Sequence, residues 1–438
     1  MEKALLFGLS SGAVILLVLA FQIGGPRGGG GDGGDEFEWF ARTRSLILEN
    51  YVEEVDSRRL TYSALKGMVT SLDDYSTFYF PEDEEGFQEK TRGERVGIGV
   101  RLGLFDDRMV VRYPIPFSPA EKAGLRPWDE IVSIDGRDTE GIGYHDGRAL
   151  LRGPEGSTCR VVYVRGESAE RSTVAIDRAK VTHPTVFGSR LIDRPGGAGP
   201  VGYLRICGFN RGTAEEIVNT INVLKADGAT ALIADLRFNP GGLLEEALNS
   251  ANLFVGDGVL LHTRGRSAKS AKIYRAQSDK LRFPKIPLLL LVNGSTASSA
   301  EVFAGTLQDH KRAVLLGART FGKGVVQSAI SENFGDAVVI KLTTARYYTP
   351  LGRCIDRKFT NNDALSGGLE PDFTIPVESR DLRKLKNFLR EREIPNAWIG
   401  AWLGADHGKS VTDIQIEKAL ALFAGQSVLS PLPSPSGR

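Results

Sequence analysis

The sequence predicts a mixed α/β chain with an inserted β-rich domain and a helical N-terminal region. Three observations predict it. Beyond residue 180, apolar strands over 201–206 and 231–236 flank a helix over 213–226, and a further helix follows over 243–254. The apolar run 286–292 reads as a buried strand leading into a helical pattern through Val302, Phe303 and Leu307. Between residues 92 and 178 the chain instead shows short apolar alternation, glycine-rich turns and a short helix. At 438 residues it is long for one core, so two or three domains are expected. The boundaries fall at 1–34, 35–91, 92–178, 179–378 and 379–438.

Residues 4–24 carry no charge over 21 positions, about 31 Å as a helix, which is enough to cross a bilayer core. That length exceeds a signal-peptide core of about 7–15 residues, and no clear small-x-small site follows, so an uncleaved anchor is favoured over a cleaved signal. Lys3 before and Arg27 after the run give only a weak orientation signal. Residues 24–34 hold eight glycines in eleven positions and read as a flexible tether. A helix is expected over 37–51. Asp56 is placed to cap a second, whose apolar positions Leu60, Ala64, Leu65, Met68, Val69 and Leu72 share one face.

In the β-rich domain, V-G-I-G-V at 96–100 puts glycines where backbone can approach a ligand closely. S-P-A-E-K-A-G-L-R-P-W-D-E-I-V-S-I-D-G at 118–136 predicts a short helix over 119–123, a Gly124 cap, a strand over 130–134 and an Asp135-Gly136 turn. Beyond the α/β region, a charged helix is expected over 380–393, and the Ser/Pro-rich stretch from Gly425 reads as disordered.

Composition excludes several classes of function. With 55 basic and 54 acidic residues the net charge is +1, and nothing recommends a nucleic-acid partner. Cys159, Cys207 and Cys354 are scattered, and the five histidines do not cluster, so neither a metal site nor a disulfide framework is indicated.

The chemistry concentrates in N-G-S-T-A-S-S-A-E at 293–301 and T-F-G-K-G-V-V-Q at 320–327. Ser298 falls at the turn from the 286–292 strand into a helix, where a side chain is exposed and developing negative charge is favoured by the helix N-terminus. A serine hydroxyl needs a base, and Lys323 can serve if burial or neighbours hold it neutral.

These residues resemble the C-terminal processing peptidases, tail-specific Ser/Lys proteases with a built-in PDZ domain, and the resemblance runs from about residue 37 to 377. The family pattern N-x-x-[ST]-A-S-A-S-E places Thr296, Ala297, Ser298 and Glu301 on the match; Ser299 stands where alanine is usual and Ala300 where serine is usual. In F-G-K-G-x-x-Q the general base maps to Lys323 and the glutamine that positions it to Gln327. The resemblance implies a serine-protease core of the ClpP/crotonase kind. D-L-R-F-N-P-G-G-L-L at 235–244 is a further landmark: Gly241 or Gly242 would supply one oxyanion amide and Ser299 the other. L-D-D-Y-S-T-F-Y-F at 72–80 and G-L-E-P-D-F-T-I-P-V at 368–377 also match, the second as the strand and turn that close the core.

Residues 92–178 look like the PDZ domain, with Val96, Gly97, Ile98 and Gly99 forming the loop that captures a terminal carboxylate. Arg152, in L-R-G-P-E-G, either ends the PDZ helix or reports peptide occupancy to the core. The implied partners are proteins or peptides with exposed C-termini, with no cofactor, a possible homo-oligomer through the helical regions, and a location in the cell envelope outside the cytoplasmic membrane.

Competing readings remain open at this point. Glu301 either orients the active site or merely suits a helix N-terminus. G-A-R-T-F-G-K at 317–323 fits a phosphate-binding loop, but Gly324 stands where Ser or Thr would hold magnesium. His310 lies about three turns beyond Ser298 along the helix, too far for a triad. A membrane-tethered PDZ adaptor with an inert protease fold would explain the anchor and peptide loop, but not why Ser298, Lys323 and Gln327 are all present.

Overall fold

A computed structural model describes residues 34–80, 94–166, 170–196, 199–333, 337–358, 367–395, 397–398, 401 and 412–425. The expected anchor, most of the tether and the C-terminal Ser/Pro stretch lie outside them. No described helix is long and apolar enough to cross a membrane. The chain divides into two units, Met1–Ala64 and Leu65–Arg438.

In the first unit, α1 (Gly34–Asn50) precedes α2 (Ser57–Thr70), which runs on into the second. Asp56 caps α2 as expected: its Oδ1 accepts the amides of Arg58 at 2.8 Å and Arg59 at 3.1 Å. Several apolar residues here stay uncovered, with Phe37 72%, Trp39 69% and Val52 88% exposed.

The second unit opens with β1 (Thr77–Tyr79), and β2 (Glu94–Gly97) enters the β-rich domain. There β3 (Val100–Phe105), β4 (Arg108–Pro114), β5 (Glu130–Ile134), β7 (Thr158–Val164) and β8 (Arg171–Asp177) form an antiparallel sheet in that order, with β6 (Arg137–Asp138) folding back on β5. α3 (Pro119–Lys122) and α4 (Tyr144–Leu150) join it. The turn chemistry is as expected: Ser118 caps α3, Gly124 follows at φ +83°, and Asp135-Gly136 takes φ +49° and +80° as a hairpin turn of the I′ kind requires. Its core gathers Ile98, Leu102, Val111, Ile134, Val161 and Ile176. β9 (Ala179–Thr182) returns to pair with β2 and closes the insertion.

Next comes the α/β core. β10 (Val186–Ile192) pairs antiparallel with β11 (Val201–Ile206); β12 (Ala231–Asp235), β15 (Leu288–Val292), β16 (Val314–Gly317) and β19 (Phe373–Thr374) then continue the sheet in parallel. β11, β12 and β15 are buried along their whole length because both faces are covered. On one face lie α5 (Thr213–Ala226), α6 (Leu244–Asn252) and α7 (Ser299–Asp309), which bury Ile217, Ile221, Leu248, Ala251, Phe303 and Leu307. A second sheet combines β13 (Val259–Arg264), β14 (Lys272–Arg275), β17 (Val325–Asn333) and β18 (Ala337–Tyr348) with β1.

The C-terminal region is more structured than its composition suggested. α8 (Ser379–Glu391) is the expected charged helix, but α9 (Ile414–Phe423) is a further element, laying Ile416, Ala419 and Leu420 on the other face of the core sheet. The phosphate-loop reading ends here, since Lys323 leads into strand β17 and not into a helix that could cradle phosphate.

Candidate active site

Ser298 connects β15 to α7 through a short loop, and its backbone sits at φ +58°, ψ −126°, a region most side chains avoid. Such strain persists only where surroundings over-determine it. The surroundings here are specific: Thr296 Oγ1 donates to Leu236 O at 2.9 Å and accepts the Asn293 amide at 3.0 Å, and the Ala297 amide donates to Asn239 O at 2.9 Å. The serine loop is thereby stitched to the 235–244 loop at the ends of neighbouring parallel strands, the position where open α/β sheets place their sites. Ser298 is half-buried, whereas Ser299 is 1% exposed with its hydroxyl lacking a partner among the described residues. The usable hydroxyl of the pair is that of Ser298.

Glu301 is the centre of the arrangement. Its carboxylate is fully buried and accepts four hydrogen bonds: Oε1 from Thr320 Oγ1 at 2.5 Å and the Gly322 amide at 2.7 Å, Oε2 from the Ser298 amide at 2.8 Å and the Lys323 amide at 2.9 Å. Burial pushes this carboxyl above its ordinary value, and the four donors pull against it. One side chain thus ties the backbone of Ser298 to the backbone of Lys323, which lie 25 residues apart in sequence. Sequence reasoning left this role open, and the legible signal was the position three residues after the serine.

Lys323 is half-buried, and its Nζ lies 4.7 Å from the ring centroid of Tyr75. Burial, then the charge of Lys341, hold it below the ordinary lysine value, with Glu301 opposing. Among the described residues no hydrogen bond joins Lys323 to Ser298 Oγ, and the Gln327 amide reaches Val325 O at 3.5 Å instead of the lysine. The structure therefore brings Ser298 and Lys323 to one site without yet engaging them.

The two glycines differ. At Gly241, φ +101°, an added Cβ would stand 2.8 Å from Ala297 O and 2.9 Å from Ser298 Cβ, so glycine is what lets this loop touch the serine. Its amide, however, donates to Asn239 Oδ1 at 2.8 Å. Gly242 adopts φ +147° against the Phe209 backbone, and its amide has no acceptor among the described residues; the same holds for the amide of Ser299 at the start of α7. Two unengaged N–H groups on the loops that meet at the serine can receive a developing oxyanion.

Beneath the loop lies a buried ionic network. Arg237 Nη2 donates to Asp235 Oδ2 at 2.6 Å and Asp413 Oδ2 at 2.7 Å, and its Nη1 to Gln415 Oε1 at 3.0 Å. Burial works against the Asp235 carboxylate, but Arg237 and Arg205 outweigh it and hold it below the ordinary range. The residue that starts α9 therefore anchors the residue that starts the glycine loop.

In the β-rich domain, the expected carboxylate loop lines a groove between β3 and α4 with Val96, Ile98, Leu102, Tyr144, Leu151 and Arg152. Gly99, at φ +81°, leaves no room for a Cβ beside Ser118, and its carbonyl accepts the Ile115 amide and Ser118 Oγ, both at 2.9 Å. Arg152 forms an isolated antiparallel β-bridge with Gly97 in this groove. Among the described residues no cluster of histidine, cysteine and carboxylate side chains could hold a metal ion.

Comparison with known proteins identifies the family of this chain. Residues 200–375 match peptidase family S41, 110–165 match a PDZ domain, and 27–84 match the N-terminal domain of the activating protease CtpB. The carboxy-terminal processing protease CtpA of Bacillus subtilis is 33% identical over 327 residues, covering 74% of this chain and 68% of that protein. A carboxyl-terminal-processing protease of a Picosynechococcus strain is 34% identical over 337 residues, 76% of this chain and 77% of its own. Among solved structures, the photosystem II D1 C-terminal processing protease is 31% identical with a TM-score of 0.45, covering 79% of this chain and 90% of that one. The class is thus a serine-type peptidase carrying a PDZ domain. The chain belongs to peptidase family S41, among its carboxy-terminal processing proteases.

Proposed function

We propose that Ser298 and Lys323 form a Ser/Lys dyad that cleaves proteins near their C-termini. Lys323 takes the Ser298 Oγ proton as the oxygen attacks the peptide carbonyl, and returns it to the departing amine; water, deprotonated by the same lysine, then releases the acyl-enzyme. The amides of Gly242 and Ser299 stabilise the oxyanion, with Gly241 shaping the approach. Gln327 holds the lysine in the working state, which takes a rotation away from Val325 O. The groove at Val96, Gly97, Ile98 and Gly99 receives substrate C-termini, and Arg152 reports its occupancy to the core. The observation that carries this reading is the Glu301 carboxylate joined to the amides of both Ser298 and Lys323.

The decisive experiment uses a protein substrate with an apolar, unstructured C-terminus. Ser298→Ala and Lys323→Ala should each cost orders of magnitude in turnover while the fold is retained, since the two groups act as a unit. Full activity in Lys323→Ala would remove the dyad, and an inert wild type would favour the PDZ adaptor.

For location, the reading is a cell-envelope enzyme held at the membrane by residues 4–24. The full chain should then need detergent, whereas a chain starting at Asp35 should be soluble and active. A natural N-terminus mapped between residues 20 and 34 would establish a cleaved signal instead. The exposed apolar residues of α1 fit pairing with a second copy of the chain, which sedimentation would detect as a dimer.

A further inference from the structure

We propose that Tyr75 is a positioning residue for Lys323: its ring holds the ammonium between turnovers and sets how readily that lysine becomes the neutral base. The inference rests on the dyad reading for its consequence in catalysis, but the pairing itself is a matter of geometry. Lys323 Nζ stands 4.7 Å from the ring centroid, well inside the distance at which a π face attracts a cation. Among the described residues the lysine has neither a hydrogen-bond acceptor nor a carboxylate within ion-pair distance, so the ring is the group in direct contact with its ammonium.

Tyr75 is fixed where it stands. Asp73 Oδ1 accepts the amides of Tyr75 and Ser76, each at 2.7 Å, and the Ser76 hydroxyl oxygen accepts the Thr343 amide at 3.1 Å, locking the turn to β18 just before β1 pairs with it. The phenol hydroxyl makes no hydrogen bond among the described residues, so the ring, not the hydroxyl, is the acting part. The charged groups around the pair are Glu301 on α7 and Lys341 on β18, which face the lysine, and Asp74, Asp356 and Lys358, which face the tyrosine. Glu301 spends its four acceptor sites on other donors, and Lys341 repels. The π face, together with the Glu301 charge, therefore opposes the burial that would otherwise neutralise the lysine. Catalysis requires Lys323 to leave the ring for Ser298, and a tyrosine far upstream in the chain becomes part of the resting state of the base.

The test titrates Lys323 directly in the full-length chain carrying Ser298→Ala, from the carbon-13 shift of its Cε, assigned by comparison with Lys323→Arg. Tyr75→Leu keeps apolar volume but removes the π face, and should lower the midpoint by about 0.5–1.5 pH units. Tyr75→Phe should keep the wild-type midpoint, and Tyr75→Trp should raise it. Should the leucine variant lose its fold by circular dichroism, the phenylalanine and tryptophan variants carry the test. An unchanged midpoint in Tyr75→Leu, or equal shifts in the leucine and phenylalanine variants, would overturn the proposal. In chains that retain Ser298, the acid limb of the kcat/KM–pH profile should follow the same order. If the titration moves and the rate profile does not, the pairing stands and the dyad reading fails.

Discussion

At the scale of the residue, Glu301 links the two halves of the site in a way that can be tested by one atom pair. All four of its partners are donors, and Thr320 Oγ1 also accepts the Leu369 amide at 2.6 Å, so the threonine proton is directed at the carboxylate. In Glu301→Gln an NH₂ group would confront two of those donors, leaving buried groups unpaired at about 1–3 kcal/mol each. Turnover should fall by about 100-fold or more with a clear drop in melting temperature; wild-type kcat would show that Glu301 is merely a helix cap. Ser299→Ala has the opposite sign, since it deletes a buried hydroxyl without a partner, and should leave activity near wild type with stability unchanged or slightly raised. The pH dependence follows from Lys323. With Lys323 as the proposed base, which acts when neutral, and burial moving this lysine below its ordinary value of 10.5, activity should rise with pH through a midpoint below that value. Ser298 and Lys323 stood out in the sequence because each sits in a short motif, and the fold joins their backbones at Glu301. Tyr75 was not, because its relation to Lys323 spans most of the chain and exists only once β1 joins β18.

At the scale of the element, the boundaries that sequence read best are those fixed by local chemistry. The helix over Thr213–Ala226 and the strand over Glu130–Ile134 fall where periodicity and turn residues put them. α9 was missed because its reason for existing is distant: Asp413 and Gln415 meet Arg237 across more than 170 residues of sequence. Arg237 is fully buried, so Asp413→Ala would leave it with Asp235 as its remaining carboxylate and the network unbalanced, at a cost of about 3–5 kcal/mol. Because Arg237 opens the glycine loop, the same variant should lower kcat more than it raises KM; an unchanged melting temperature would mean that α9 is an ornament on the core. Gly241→Ala probes the loop at its other end. Its Cβ would lie 3.0 Å from the Ser299 amide and force the left-handed backbone to strain, so kcat should fall while peptide affinity of the PDZ groove stays constant. Equal turnover would show that the loop can yield, and that the contact with Ser298 does not matter.

At the scale of the whole molecule, the catalytic region and the PDZ domain share a physical connection that does not run through the peptide groove alone. Arg112 on β4 donates to the carbonyl oxygens of Arg390 at 2.8 Å and Glu391 at 2.5 Å, closing the C-terminal end of α8. Just beyond, Ile394 is fully buried among Tyr113, Ile115 and Val181, and Glu393 accepts from Arg205 at 3.1 Å. Arg205 in turn donates to Arg237 O at 2.9 Å, at the start of the glycine loop. Ile115 also donates its amide to Gly99 O, so the loop over 96–100 stands at one end of this chain of contacts and the glycine loop over 235–244 at the other. A peptide can shift activity only by binding one arrangement of these contacts better than another. If Arg152 carries the signal, Arg152→Ala should abolish stimulation of turnover by a PDZ-binding peptide and leave the contacts at α8 intact. If the α8 connection carries it, Arg112→Met should do so instead, with Arg152→Ala nearly silent. For Arg112→Met the affinity of the isolated PDZ domain for the peptide, read by fluorescence anisotropy, is the control that must not move; Arg152 lines the peptide groove, so Arg152→Ala is compared at saturating peptide. Turnover measured with and without peptide then assigns the route. A stimulation ratio unchanged in both variants would reduce the PDZ domain to a tether that concentrates substrate at the protease, because neither connection would be passing on its occupancy.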